Sequence, residues 1–160
     1  MRLSPFSANV SRIAAMSSDS LAARAAAVLQ SQPFSRLLGA ELAAATETGV
    51  ELALEIREEH RQQYGMAHGG VISYLADNAL TFAGGIALEC DVVTAQMNIH
   101  YLRPALGSRL IARAQAISAS SASALTKCDV LEIAGREERR VAFATGLVRR
   151  APRSRGQVGA

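Results

Sequence analysis

Apolar and polar positions change period repeatedly along the chain, and each change marks an element. Residues 17–30, SSDSLAARAAAVLQ, place Ser and Asp ahead of helix formers and put Leu21, Ala25, Val28 and Leu29 on one stripe. That pattern predicts a short amphipathic helix. Pro33 interrupts it, residues 34–38 supply one further turn, and Gly39 closes that turn. Val50, Leu52, Leu54 and Ile56 then alternate with Glu51, Ala53, Glu55 and Arg57. This is the period of two of a half-buried strand, and a partner is predicted over 40–45 with a turn around Gly49. The stretch 60–70, HRQQYGMAHGG, is polar and Gly-rich and reads as a loop. Residues 71–88, VISYLADNALTFAGGIAL, are apolar on nearly every face, too long for a strand and free of Pro, which predicts a buried helix.

The second half returns to the shorter period. Residues 92–102 alternate, with Val93, Ala95, Met97, Ile99 and Tyr101 predicted on one face and Thr94, Gln96, Asn98 and His100 on the other. After the turn at 104–107 come strand-like segments 109–117, 122–133 and 139–148, separated by Ser-rich and Gly-Arg-Glu turns. The order of elements predicts an α+β domain over 17–148, an antiparallel sheet curled around one long helix, with no repeat and no second domain.

Composition refines this picture. With 160 residues, 49% apolar and 19% charged, the chain is expected to be one soluble globular domain with a single core. Aromatics are only 4% and Trp is absent, so that core must be packed from Ala, Val, Leu and Ile, which favours close backbone approach. The net charge of +3 arises at the ends. Without Arg2, Arg12, Arg149, Arg150, Arg153 and Arg155, the body 17–148 holds 11 basic against 14 acidic residues. A mildly acidic body argues against a nucleic-acid partner. Residues 1–16 read as a disordered leader with a faint likeness to a transit peptide and an alternative start at Met16, and 149–160 as a basic disordered tail. No apolar run near the ~20 residues of a membrane span is expected, so no membrane partner is assigned. Cys90 and Cys128 have no zinc-ligand spacing, and reduced thiols in a cytoplasmic protein are the expectation.

Two places could carry chemistry. Asp77, beside Asn78, lies within the apolar helix and too far from its start to be a cap, so it is either a carboxylate satisfied at a subunit boundary or a functional one. His68-Gly69-Gly70 precede the helix, where the first amides have no intrahelical partner and can donate to a negatively charged oxygen. The alternative is a plain glycine loop. Nucleophile-elbow, phosphate-loop, dinucleotide and HExxH motifs are absent, and His60, His68 and His100 lack metal spacing, so neither metal nor cofactor is expected. Residues 136–140 read as a solvated turn. Arg103, which ends a strand beside Pro104 outside the apolar alternation, is a candidate contact for an anionic ligand.

The stretch QQYGMAHGGVISYLADNA, followed by VVTAQMNIHYLRPALG, resembles the hotdog-fold acyl-CoA thioesterases of the PaaI-like group across most of 34–148. The combined pattern is G-x-x-H-G-G, an Asp nine residues after the His, and a strand ending in L-x-P-A. The resemblance implies hydrolysis of an acyl-CoA to a free acid and CoA. Asp77 would activate water or attack the carbonyl, and the Gly69 amide would polarise the thioester oxygen. His68 and the side chain six residues before it, Gln62, would shape the site, and Thr94 would orient water. Gly70 and Arg103 complete the expected substrate contacts, Arg103 toward a CoA phosphate. Some relatives carry Asn at the Gln62 position. The alternatives are a hotdog hydratase or dehydratase, or a non-catalytic acyl-CoA-binding protein.

Helix geometry adds an expectation about assembly. Gly69 and Asp77 are eight residues apart, roughly 12 Å along one helix at about 1.5 Å per residue. One carbonyl cannot meet both, so a homodimer with composite sites is predicted. The family resemblance extends this to a homotetramer.

Overall fold

The structure is a computed structural model that describes residues 18–152. The predicted leader and residues 153–160 of the predicted tail lie outside the described residues. The chain forms α1 (Ser18–Ser31), α2 (Pro33–Leu38), β1 (Ala40–Thr46), β2 (Gly49–Glu55), a 3-10 turn (Glu58–His60), α3 (Gly69–Leu88), β3 (Val92–Tyr101), β4 (Arg109–Ala119), β5 (Ser123–Ala134) and β6 (Glu137–Arg150). Pro33 opens α2, and Gly39 ends it in the left-handed conformation at φ 76°, where a side chain would be strained.

All strand pairs are antiparallel, in the order β1-β2-β4-β5-β6-β3. This is the predicted α+β hotdog architecture, a six-stranded sheet curled around one long helix. Leu75, Ala76, Ala79 and Leu80 of α3 are completely buried against the sheet. Each of the two leucines contributes roughly 1.5–3 kcal/mol by leaving water. The aromatic-poor core does bring backbones together. A Cβ placed on Gly84 would lie 2.7 Å from Val148 Cβ, and one on Gly146 would lie 3.2 Å from Leu80 Cδ1.

Four expectations need correction. The helix is not buried all round: Ser73, Tyr74, Asp77, Asn78, Thr81, Phe82 and Ile86 are only half-buried, because the sheet covers one side. Contrary to expectation, α3 at 20 residues is also long and apolar enough to cross a membrane by length and composition. Half of it is packed inside the fold, as a core helix is.

The alternation of 92–102 also breaks. The β3–β6 register shifts between Thr94 and Gln96, so Ala95 is an extra residue and the strand changes face there. Thr94 therefore points to the helix side together with Met97 and Ile99, while Val93 is 46% exposed. Finally, β6 continues through Arg149 and Arg150, and Arg150 Nε donates to the Ser121 carbonyl at 2.6 Å. These two arginines belong to the sheet and not to a tail.

Candidate active site

The start of α3 is built by its own preceding loop. His68 is the N-cap, and its Nδ1 accepts the Gly70 amide at 2.9 Å. That bond places the ring proton on Nε2. Gly70 permits it closely, since a Cβ there would lie 3.0 Å from Nδ1. The Gly70 amide is thus engaged within the cap itself. The Gly69 amide, in contrast, has no acceptor among the described residues. It is one of the orphan donors of a helix N-terminus, where the backbone dipole also favours negative charge.

The loop below is tied down. His68 N donates to the His60 carbonyl at 2.8 Å and Ala67 N to the Ala105 carbonyl at 2.9 Å. His60 is buried; its Nε2 lies 3.1 Å from Arg57 Nη2, which can only donate. Its Nδ1 lies 3.0 Å from the Glu55 carbonyl and 3.2 Å from the Arg57 amide, which donates to it. Tyr101 OH donates to the Gly69 carbonyl at 3.1 Å and pairs with Ser73 Oγ.

Asp77 sits two turns further on, on the side of α3 that the sheet leaves uncovered. Thr94 Oγ1 donates to Asp77 Oδ1 at 2.8 Å. The bulge at Ala95 thus aims Thr94 at the carboxylate itself. Thr81, one helical turn beyond Asp77, lies 2.7 Å from Thr94 and donates to the Asp77 carbonyl at 2.8 Å. Asn78 faces the other way, donating to Gln32, Ser35 and Tyr74 and pinning α2 to α3. Asp77 and Thr94 are therefore brought together, while Gly69 and His68 remain at the far end of the same helix.

Gln62 turns into its own loop, where its Oε1 accepts from Tyr64 N at 2.9 Å and its Nε2 has no acceptor among the described residues. Arg103 is exposed and forms no ion pair among the described residues. The turn that carries it is clamped by a group the sequence reading missed. Glu132 is wholly buried; its carboxylate accepts the amides of Leu106 at 2.6 Å and Gly107 at 2.8 Å, and pairs with Arg139. Burial pushes this carboxyl up, but the Gly107 amide, Arg139 and the Leu106 amide together hold it below the usual range. Thr81, Tyr101 and His60 were also missed. Only Thr81 left a signal, a hydroxyl four residues after Asp77 on the same helix face.

Two surface concavities are lined by Thr48, Glu51, Arg113 and Lys127, and by Asn98, Leu125 and Thr145, respectively. Neither includes Asp77 or Gly69.

Comparison with known proteins agrees with the fold. The sequence profile of the thioesterase superfamily matches residues 64–138. Human acyl-coenzyme A thioesterase 13 is 32% identical over 111 residues, which is 65% of this chain and 76% of that protein. A candidate esterase of Haemophilus influenzae is 34% identical over 83 residues, so the match spans 51% of this chain and 60% of that protein. Among solved structures, a variant of the phenylacetic acid degradation protein PaaI from Thermus thermophilus superposes with a TM-score of 0.68 at 30% identity, covering 75% of this chain and 100% of that one.

Proposed function

The chain belongs to the thioesterase superfamily, with the hotdog fold of its PaaI-like group, and on that premise we propose that it hydrolyses acyl-CoA thioesters at a site shared by two subunits. The observation that carries this reading is a carboxylate and an orphan amide on one helix, set too far apart to serve one chain. Asp77 is held by Thr94, and Gly69 N–H is unclaimed roughly 12 Å away along α3. A two-fold axis that sets two α3 helices antiparallel brings Gly69 of one chain beside Asp77 of the other. It would also cover the half-buried stripe of α3, and β3, at one edge of the sheet, is open to a second copy.

In the proposed reaction the thioester carbonyl oxygen accepts from the Gly69 amide, which favours the charge that develops as the carbonyl is attacked. Asp77 either takes a proton from the attacking water and passes it to the departing CoA thiolate, or attacks the carbonyl itself, displacing CoA and forming a mixed anhydride that water then hydrolyses; both routes give the free acid and the thiol. His68, whose Nδ1 is spent on Gly70, offers only Nε2–H to the site. Arg103, exposed on the turn after β3, would meet a CoA phosphate.

A panel of benzoyl-, phenylacetyl-, hexanoyl- and dodecanoyl-CoA, followed by thiol release, tests the reading. Turnover of at least one is expected, and Asp77→Ala should lower kcat by roughly 10²-fold or more without loss of folding. Arg103→Ala should raise KM at low salt. Gly69→Pro removes the amide at a position where proline suits the first helical turn and where an added Cβ meets Tyr101 only at 3.6 Å. Mixed one to one with Asp77→Ala subunits after exchange, it should restore about a quarter of wild-type activity, since half the dimers would then hold one intact site of two. No recovery in verified mixed dimers would sink the shared site. Tight acyl-CoA binding with no turnover on any thioester would make the protein a binder instead.

A further inference from the structure

The hydroxyl of Thr81 has no role in the reading above, yet it touches both groups that define the carboxylate. Its Oγ1 is 2.8 Å from the Asp77 carbonyl and 2.7 Å from Thr94 Oγ1, which in turn is 2.8 Å from Asp77 Oδ1. Proton counting orders this chain. An ionised carboxylate only accepts, so the single Thr94 proton must lie toward Asp77. The Thr94 oxygen is then an acceptor, and of its two neighbours only Thr81 can donate to it. The Thr81 proton is shared between Thr94 Oγ1 and the Asp77 carbonyl, both within hydrogen-bond distance. No described residue donates to Asp77 Oδ2, which leaves that oxygen for water or substrate.

We propose that Thr81 is a positioning residue for the hydrolysis: its hydroxyl fixes the direction of the Thr94 proton and so holds Asp77 in one rotamer with Oδ2 facing the thioester. This rests on Asp77 being the reacting carboxylate. The geometry explains why the bulge at Ala95 matters, because only a Thr94 turned to the helix can close the chain Thr81 to Thr94 to Asp77. An ordinary threonine in a helix also bonds the carbonyl four residues back, and that alone would leave catalysis untouched. The two roles differ in what they do to turnover.

The test compares wild type, Thr81→Val, Thr81→Ala, Thr81→Ser and Asp77→Asn on the best thioester of the panel. Valine keeps the shape and removes the hydroxyl. It is expected to lower kcat by about 5- to 20-fold with KM within about 2-fold, the pattern of an interaction felt at the reacting centre and not in binding. Serine, which keeps the hydroxyl, should return kcat to within about 2-fold of wild type. In a Thr94→Ala background the valine change should have little further effect, because the two hydroxyls act as one unit. Should valine disturb folding, alanine against serine carries the same comparison. The proposal is overturned if the folded hydroxyl-free variants keep wild-type kcat, if serine is as slow as valine, or if the losses at 81 and 94 simply add. Asp77→Asn separates the two levels. If it turns over normally, the role of Asp77 falls and Thr81 with it; if it is slow while Thr81→Val is normal, only Thr81 is misassigned.

Discussion

Replacing Glu132 should weaken the fold in a pH-dependent way that its surroundings set. The carboxylate is wholly buried and accepts the Leu106 and Gly107 amides and the Arg139 guanidinium. Alanine leaves two turn amides unmet, at roughly 1–3 kcal/mol each, but also removes the cost of burying a charge. Arg139 is half-exposed and regains water, so its loss adds little. The balance is about 3 kcal/mol, which for a chain of this size is a fall in Tm of roughly 6–12 °C. Glutamine keeps an acceptor oxygen but loses the charge, and should fall between alanine and wild type. The pH dependence follows from the folded carboxyl lying below its usual 4.5. The unfolded chain binds that proton more readily, so the stabilisation is complete above the unfolded value and fades as pH falls through the folded one. Urea titrations of wild type and Glu132→Gln from pH 7 to pH 3 should therefore show the gap between them closing below about pH 4.5. A gap that stays constant across that range, or an alanine variant within about 1 kcal/mol of wild type, would refute the argument.

Two further outcomes test the packing. Gly84→Ala should cost about 1–3 kcal/mol, since its Cβ would lie 2.7 Å from Val148 Cβ and Cγ1; Val148→Ala in the same chain should recover part of that in a double-mutant cycle by urea denaturation. Cys128 is buried, and burial first, then Asp129, pushes its thiol up to about 12, so a disulfide reagent at pH 8 should modify the half-buried Cys90 alone until the protein is unfolded.

Local pattern was enough for the elements and their kind. Pro33, Gly39, the alternation at 50–56 and the apolar run 71–88 each express a rule that acts over a few residues, and α2, β2 and α3 appear where those rules put them. The motif at 68–70 and Asp77 likewise stood out because a polar group in an apolar run is conspicuous without any fold. What the tertiary structure decided was where distant residues meet. Nothing in the alternation of 92–102 signals the bulge at Ala95, because a bulge is a property of the β3–β6 pairing and not of one strand, yet it turns Thr94 onto Asp77. Glu132 reads as one more acid in a strand until the Leu106 and Gly107 amides, 26 and 25 residues earlier, are folded onto it. The half-covered face of α3 is a mixed case: Ser73, Asp77, Asn78 and Thr81 all fall on it, so its polarity is written in the sequence, but how far the sheet curls around the helix is a property of the folded strands.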